Sequence, residues 1–522
     1  MRWLVLGALF LVGCPTDSVM DPILPTEPSV GPYFEEVTED AGLSPGVGSG
    51  PGVAVADFND DGWPDFVSVR AGGARVFINE QDGTFSNPNW LFDRPGQNNF
   101  PCCAGAMSVT TADVDNDGDA DLFVGSLGSN YLFENQGESF VDVGLAAGIA
   151  GGFDISTVGH ALADWDGDGD LDVYEPNGTP LGFDGVVDRI LRNDGGLVFT
   201  DVSEMVPVDL RDGAAFVASW SDFDHDGDPD VYVVNDFGWR GSNQLFRNDG
   251  AAGADDWSFT PSESDCGCLL EENGMGVTVG DYDRDGWQDI FMGNGPGLPD
   301  EQVSSAVEQL LRNAGDGTFV DATVAARGYV PRSGDRSNSW GVEFLDVDND
   351  MWPDVFIPFG WYAEQEMDAM LINQGGHFRF EGESGAGTLE ESRSVGVLDF
   401  DRDGCLDLLL TSEFDSLRLY RNLCETGHHF LQLELVGTES NRDAVGAVVR
   451  FTAAGLTQRE EVFAGSTSSH STRTKVVHVG LGNAPSAEVE VSWPSGLVET
   501  FENVEADARY RLVEGEGDLV RR

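Results

Sequence analysis

Seven copies of one acidic nonapeptide limit what this chain can fold into. The clearest runs Asp164-Trp165-Asp166-Gly167-Asp168-Gly169-Asp170-Leu171-Asp172, an Asp-x-Asp-x-Asp-Gly-x-x-Asp pattern leading into an apolar strand. The others begin at Asp57, Asp113, Asp222, Asp281, Asp346 and Asp399, so the starts lie 56, 51, 58, 59, 65 and 53 residues apart. A period of this size marks a repeated supersecondary unit. Each unit continues with a short strand ending in Asn, as in Tyr131-Leu132-Phe133-Glu134-Asn135 and Gln244-Leu245-Phe246-Arg247-Asn248, then a Gly turn and a Phe-containing strand. About four short strands per unit, with no sustained helical periodicity, predict an all-β chain whose repeats are the blades of a seven-bladed β-propeller.

The spacing inside the nonapeptide suits calcium, which takes 6–8 oxygen ligands in flexible geometry. Acids at positions 1, 3 and 5 converge, position 7 supplies a main-chain carbonyl, and position 9 adds a further carboxylate. The predicted ligands are Asp57, Asn59, Asp61, Trp63 and Asp65 in loop one, and Asp113, Asp115, Asp117, Asp119 and Asp121 in loop two. Loop three supplies Asp164, Asp166, Asp168, Asp170 and Asp172, and loop four Asp222, Asp224, Asp226, Asp228 and Asp230. Loop five supplies Asp281, Asp283, Asp285, Trp287 and Asp289, and loop six Asp346, Asp348, Asp350, Trp352 and Asp354. Loop seven supplies Asp399, Asp401, Asp403, Cys405 and Asp407. Up to seven calcium ions follow. An EF-hand would need Glu at position 12, where the chain has Ser68, Val124, Glu175, Val233, Met292, Ile357 and Leu410. Acidic turns without a cation would be costly: carboxylates ~4 Å apart repel by on the order of 4 kcal/mol per pair at an effective dielectric of 20. Loop six carries Met351 where the turn calls for Gly, which costs about 1–2 kcal/mol if φ is positive there.

The charge agrees. With 92 acidic and 28 basic residues the chain stands at −64, yet 32 Phe and 12 Trp supply core material and argue against disorder. A basic nucleic-acid surface is excluded on sign. The repeats are out of phase with the chain ends. Phe34-Glu35-Glu36-Val37 matches the closing strand of a unit (Phe140-Val141-Asp142-Val143) but precedes the first loop, and the seventh unit lacks that strand. The N-terminal strand is therefore expected to complete the last blade and close a ring.

Residues 1–13 read as a short signal peptide, and Leu11-Val12-Gly13-Cys14 is similar to a bacterial lipobox, with Cys14 the lipidated residue; an ordinary secretory signal is the alternative. Residues 14–31, rich in Pro, Ser and Thr, form a tether. Six further cysteines suit an oxidising compartment. Cys405 and Cys424 flank a hairpin turn symmetrically and are predicted to pair. Cys102, Cys103, Cys266 and Cys268 form two more bonds or, alternatively, a zinc site.

The loops resemble the FG-GAP or VCBS-type repeats of integrin α-chain propellers over residues 32–424. Farther on, Val436-Gly437-Thr438-Glu439-Ser440-Asn441-Arg442-Asp443-Ala444-Val445-Gly446-Ala447, Gly465-Ser466, Val479-Gly480-Leu481-Gly482 and Trp493-Pro494-Ser495-Gly496 resemble an ASPIC/UnbV domain over residues 428–514. Together they are similar to a bacterial member of the cartilage acidic protein family. The resemblance implies extracellular calcium binding and interaction, and carries no catalytic residues. The alternating strands Phe430-Leu431-Gln432-Leu433-Glu434-Leu435 and Glu488-Val489-Glu490-Val491 predict a small β-sandwich-like domain packed on the propeller.

Units three to six carry long insertions after their first post-loop strand, at 175–188, 235–242, 293–308 and 358–368. Equivalent positions fall on one face of a ring. Phe183, Phe237, Trp239, Arg240, Phe359, Trp361 and Tyr362 on these insertions are of the types that anchor ligands. The expected function is protein or glycan binding at the cell surface of a lipid-anchored, extracytoplasmic protein. The alternative is an enzyme on polysaccharide or a secondary metabolite, with its site on the long-loop face. His225, at the variable position 4 of loop four, is expected to face solvent, and His160 to pack near the ring's inner edge.

Overall fold

The computed structural model describes residues 33–522 except 45–51, 71–72, 89–90, 94–104, 153–155, 179–186, 208–210, 212, 237–240, 252–256, 296–307, 331–337, 361–366, 388–390, 413–416, 466–470 and 473. Each acidic nonapeptide joins the first two strands of its own antiparallel sheet. In sheet four, Ala215–Ser221 leads into the loop, and Asp230–Asn235, Gln244–Ala251 and Trp257–Pro261 follow it in spatial order. Six other sheets repeat this pattern. The seventh is completed by Phe34–Glu36, which pairs antiparallel with Leu417–Asn422. The strand ahead of the first loop thus fills the place that the seventh unit leaves empty.

Closure of the ring is carried by the Asn that ends each third strand. Asn422 donates its side-chain amide to the carbonyl of Val347 in sheet six (2.8 Å), Asn373 to Tyr282 in sheet five (2.9 Å) and Asn313 to Phe223 in sheet four (2.8 Å). Asn248 donates to Trp165 in sheet three (2.8 Å), Asn193 to Val114 in sheet two (2.9 Å) and Asn135 to Phe58 in sheet one (3.3 Å). Asn79 then donates to Phe400 of sheet seven (2.8 Å) and completes the cycle. All seven Asn are at most 3% exposed. Their acceptors are the apolar position 2 residues of the preceding loop. The first strands of neighbouring sheets face one another at the centre, where the Trp220 indole donates to the Ala161 carbonyl (3.1 Å) and the Thr111 hydroxyl to the Val55 carbonyl (3.4 Å).

The C-terminal region is a sandwich of two four-stranded sheets, one built on His429–Val436 and Ala508–Val513, the other on Val448–Ala453 and Ser486–Ser492. Its core is continuous with that of sheets two and three: Leu433, Val449, Val489 and Leu512 belong to the same cluster as Val114, Leu162 and Leu171. Two short strands reach from the sandwich to the ring's inner edges. Ala464–Gly465 pairs antiparallel with Ala161–Ala163 of sheet three, and Ser471–Thr472 pairs parallel with Gly52–Ala56 of sheet one. Cys405 and Cys424 are bonded, with Cα atoms 6.1 Å apart, and Cys266 is bonded to Cys268. Cys14, Cys102 and Cys103 lie outside the described residues.

Candidate metal centres and the opposite face

The seven loops share one hydrogen-bond scheme. The position 1 carboxylate accepts from the position 6 amide in every copy, at 2.6–3.2 Å. Position 9 is buried, and one of its oxygens accepts from the position 2 amide of its own loop, as Asp230 does from Phe223 (3.2 Å). The other accepts from the main-chain amide of the same latch Asn, as Asp230 does from Asn248 (2.8 Å). Position 9 therefore ties the loop to the third strand before any ion is considered, and the latch Asn ties that assembly to the neighbouring sheet.

Position 6 adopts positive φ throughout: Gly62 at 87°, Gly286 at 93°, Gly404 at 89° and, without glycine's freedom, Met351 at 82°. Met351 keeps the loop's hydrogen bond, its amide donating to Asp346 at 2.8 Å. Its side chain is 4% exposed and joins the sandwich core cluster. The strain is thus borne where the side chain anchors the C-terminal domain.

Neighbouring loops interlock through positions 4 and 7. The His225 ring stacks on Trp287 at 3.9 Å, the Arg284 guanidinium lies 3.8 Å over Trp352, and Arg402 lies 4.8 Å over Trp63. In loop two Asn116 donates to Asp170 of loop three (2.8 Å). His225 is exposed, as expected, but its ring is held by the next loop rather than left to solvent. His160 is fully buried, 3.6 Å from Glu175 Oε1, in a cluster with Arg189.

The donor set fits a hard dication. Carboxylate oxygens of Asp113, Asp115 and Asp121 lie within 4.8 Å of one another, as do those of Asp164, Asp166 and Asp172, of Asp222, Asp224 and Asp226, and of Asp281, Asp283 and Asp285. Burial, reinforced by neighbouring carboxylates, pushes Asp65 up to about 8, Asp230 to about 9, and Asp164 and Asp281 to about 7. Asp166 Oδ1 and Asp399 Oδ1 are buried without a hydrogen-bond partner. A cation offsets each of these penalties at once.

The sandwich docks on this loop face. Asp443 accepts from the Asp113 amide (2.8 Å) and pairs with Lys475 (2.6 Å). Gln432 donates to Asp399 Oδ2 (2.8 Å), Arg509 to the Gly62 carbonyl (2.9 Å), and the Gly482 amide to Asn349 of loop six (2.8 Å). Gly480 approaches Asp346 and Asn349 so closely that a Cβ there would collide with both. Glu514, which sequence reading missed, organises the two motif turns of the sandwich. It accepts from the amides of Thr438 (2.7 Å), Glu439 (2.9 Å) and Ser440 (2.9 Å) and from the Ser495 hydroxyl (2.5 Å). Although burial works against it, these donors hold it down at about 2.

The insertions leave the opposite ends of the same strands. Their bases are built on buried polar residues just ahead of the third strand. Asp188 accepts from the Asn177 amide (2.7 Å), Asn243 from Asn235 (2.9 Å), Asp368 from Phe359 (2.8 Å), and Glu308 from the Ser339 hydroxyl (2.6 Å). Phe359 is not a surface anchor. Phe359–Gly360 pairs with Asn338–Ser339, which turns the ring into the core between sheets five and six at 2% exposure. Phe183, Phe237, Trp239, Arg240, Trp361 and Tyr362 lie outside the described residues.

The FG-GAP-like repeat model matches residues 57–124, 113–175 and 222–292, and the ASPIC and UnbV model matches residues 437–519. Cartilage acidic protein 1 of Homo sapiens is 26% identical over 517 residues, covering 89% of this chain and 72% of that protein. The Xenopus tropicalis protein is 25% identical over 496 residues, covering 86% and 71%. This chain belongs to the cartilage acidic protein family. Two solved structures also align: an Agrocybe aegerita lectin described as recognising non-reducing terminal N-acetylglucosamine (20% identity, 69% of this chain and 85% of that one, TM-score 0.39), and the rhamnogalacturonan lyase YesW (13% identity, 72% of each chain, TM-score 0.39). The cartilage acidic protein match spans the repeats and the sandwich together, the two parts whose packing forms the loop face.

Proposed function

We propose that this protein is an extracytoplasmic, lipid-anchored propeller that holds up to seven calcium ions and binds a protein or glycan ligand at the cell surface. Cys14 is the anchor in this reading, 15–31 the tether, and calcium the pin of each sheet. The supporting observation is the asymmetry of the ring: the C-terminal domain covers the loop face, whereas the insertions rise from rigid, hydrogen-bonded bases at the other ends of the strands. Loops on a rigid scaffold are the usual carriers of recognition. Trp239 and Trp361 are the anchors on that face.

The test is binding of the mature protein to a glycan array and to intact cells. Trp239→Ala combined with Trp361→Ala should lower binding about tenfold or more, with the melting temperature unchanged. Undiminished binding would remove the insertion face from the reading.

A further inference from the structure

Loop one differs from its six counterparts in what surrounds the ion position. Position 3 is Asn59, a neutral side chain, so the ligand pattern holds three carboxylates (Asp57, Asp61 and Asp65) where the other loops offer four. Asn59 is exposed, whereas the position 3 carboxylates Asp115, Asp166, Asp224, Asp283, Asp348 and Asp401 are half-buried. The position 5 carboxylate also has different partners. Asn59 Nδ2 donates to Asp61 Oδ2 (3.0 Å), and Gln81 Nε2 donates to the same oxygen (3.2 Å). Gln81 stands two residues after the latch Asn79, where units two to five have Gly137, Gly195, Gly250 and Gly315. Its main-chain amide donates to the latch side chain (2.9 Å) as theirs do, and it holds φ at 61° without glycine's freedom.

In the other six loops the carboxylates at positions 3 and 5 repel until a cation lies between them. In loop one the two side chains attract, and a cation has two amide donors to displace from Asp61. Fewer ligand charges and a wetter site both weaken calcium binding. Other charges near the loop do not restore the difference. Asp60, Glu80, Asp119 and Glu138 lie at exposed or half-buried positions outside the ligand pattern of this loop, so water screens them. Against them, Arg402 and Arg509 both donate to the Gly62 carbonyl, at 2.5 and 2.9 Å. Loop six, despite Met351, keeps four carboxylates that are buried or half-buried.

Given the calcium reading proposed above, on which this rests, we infer that loop one is the exchangeable calcium site of the ring, filling last and emptying first. The Gly62 carbonyl links that exchange to the rest of the molecule. Arg402 belongs to loop seven, and Arg509 to the sandwich strand Ala508–Val513, where it also pairs with Glu434 (3.0 Å). A change in loop one is therefore felt by the last sheet of the ring and by the C-terminal domain.

The experiment is native mass spectrometry of the mature protein, stripped with chelator and titrated in buffers of fixed free calcium. The last ion should bind at about tenfold or more higher free calcium than the others, because the site has one ligand charge fewer. Asp61→Asn should abolish that last step and leave the earlier ones in place. Asn59→Asp combined with Gln81→Gly should move it down about tenfold, into the main class. Hydrogen exchange across the last step should show protection rising at loops one and seven and at 508–513, with loop five unchanged. Filling of all loops as one class, a last step that persists in Asp61→Asn, or one that the double substitution leaves in place would overturn the assignment while the calcium reading stands. No ion bound in any loop would overturn both.

Discussion

The two ends of each sheet differ in what they repeat. At the loop end, seven copies keep Asp at positions 1, 5 and 9, an apolar anchor at position 2, the same latch Asn and the same hydrogen bonds, with Asn59 the one departure from Asp at position 3. At the insertion end, only the buried base recurs, and the segments differ in length and sequence. A repeated element under one structural demand stays uniform, and an end freed from that demand can diversify. The acidic loops, the most conspicuous feature of the sequence, are therefore the frame, and the recognition role proposed above is assigned to the end where the copies disagree.

The largest effect should come from removing calcium. Each site at a hundredfold excess over its dissociation constant adds about 2.7 kcal/mol, so chelation should lower the melting temperature by on the order of 10 °C or more. The pH dependence should reverse at the same time. In the metal-free protein the loop carboxylates are pushed up, Asp65 to about 8 and Asp230 to about 9. A carboxylate raised on folding contributes stability fully below its unfolded value, and that contribution is lost as pH rises through the folded value. The metal-free melting temperature should therefore climb on going from about pH 8 to about pH 5, whereas the calcium-loaded protein should lose stability as protons displace the ion. Scanning calorimetry at the two pH values, with and without chelator, reads both. No shift on chelation would remove the distinction between the two ends.

Next in size is the latch. Asn248→Ala strips the amide from the Trp165 carbonyl and the acceptor from the Gly250 amide, in a position 1% exposed. The loss should be about 3 kcal/mol in denaturant melts, because buried partners are left unpaired. A cost under about 0.5 kcal/mol would mean that the cyclic hydrogen bonds do not hold the ring.

Smaller, and opposed in sign between two causes, is Met351→Gly. Relief of positive φ should return about 1–2 kcal/mol. Emptying the buried Met site against the sandwich should cost about 2–5 kcal/mol. The second wins, so net destabilisation of roughly 1–3 kcal/mol is expected, in contrast to the usual benefit of glycine at such a turn. A more stable variant would show that Met351 does not anchor the sandwich.

Much of the frame was legible because its signals are local. Nine residues disclose each loop, and the phase of Phe34-Glu35-Glu36 discloses how the last sheet is completed. The hairpin symmetry about residue 414 brought out Cys405 and Cys424, whose strands pair Leu408 with Tyr420. The latch Asn was visible as a repeat but not as a latch, since its acceptor lies 75–91 residues back in the chain, or 321 residues ahead for Asn79. Phe359 was read as a surface anchor because no local pattern shows its pairing with Asn338–Ser339. The docking of the sandwich was equally hidden. Asp443 meets Asp113 across 330 residues, and nothing in either segment alone shows that Met351 replaces glycine in order to fill the sandwich core.

Hydrogen exchange with mass spectrometry, comparing the calcium-loaded protein with the same protein in chelator, addresses the contrast most directly. Protection should fall at the seven loops and at the contacts around residues 432, 443 and 478–482 that dock on them. Segments 237–240 and 361–366 on the insertion side should change little. Equal loss at both ends, or loss confined to the insertions, would contradict the assignment of structure to one end and recognition to the other.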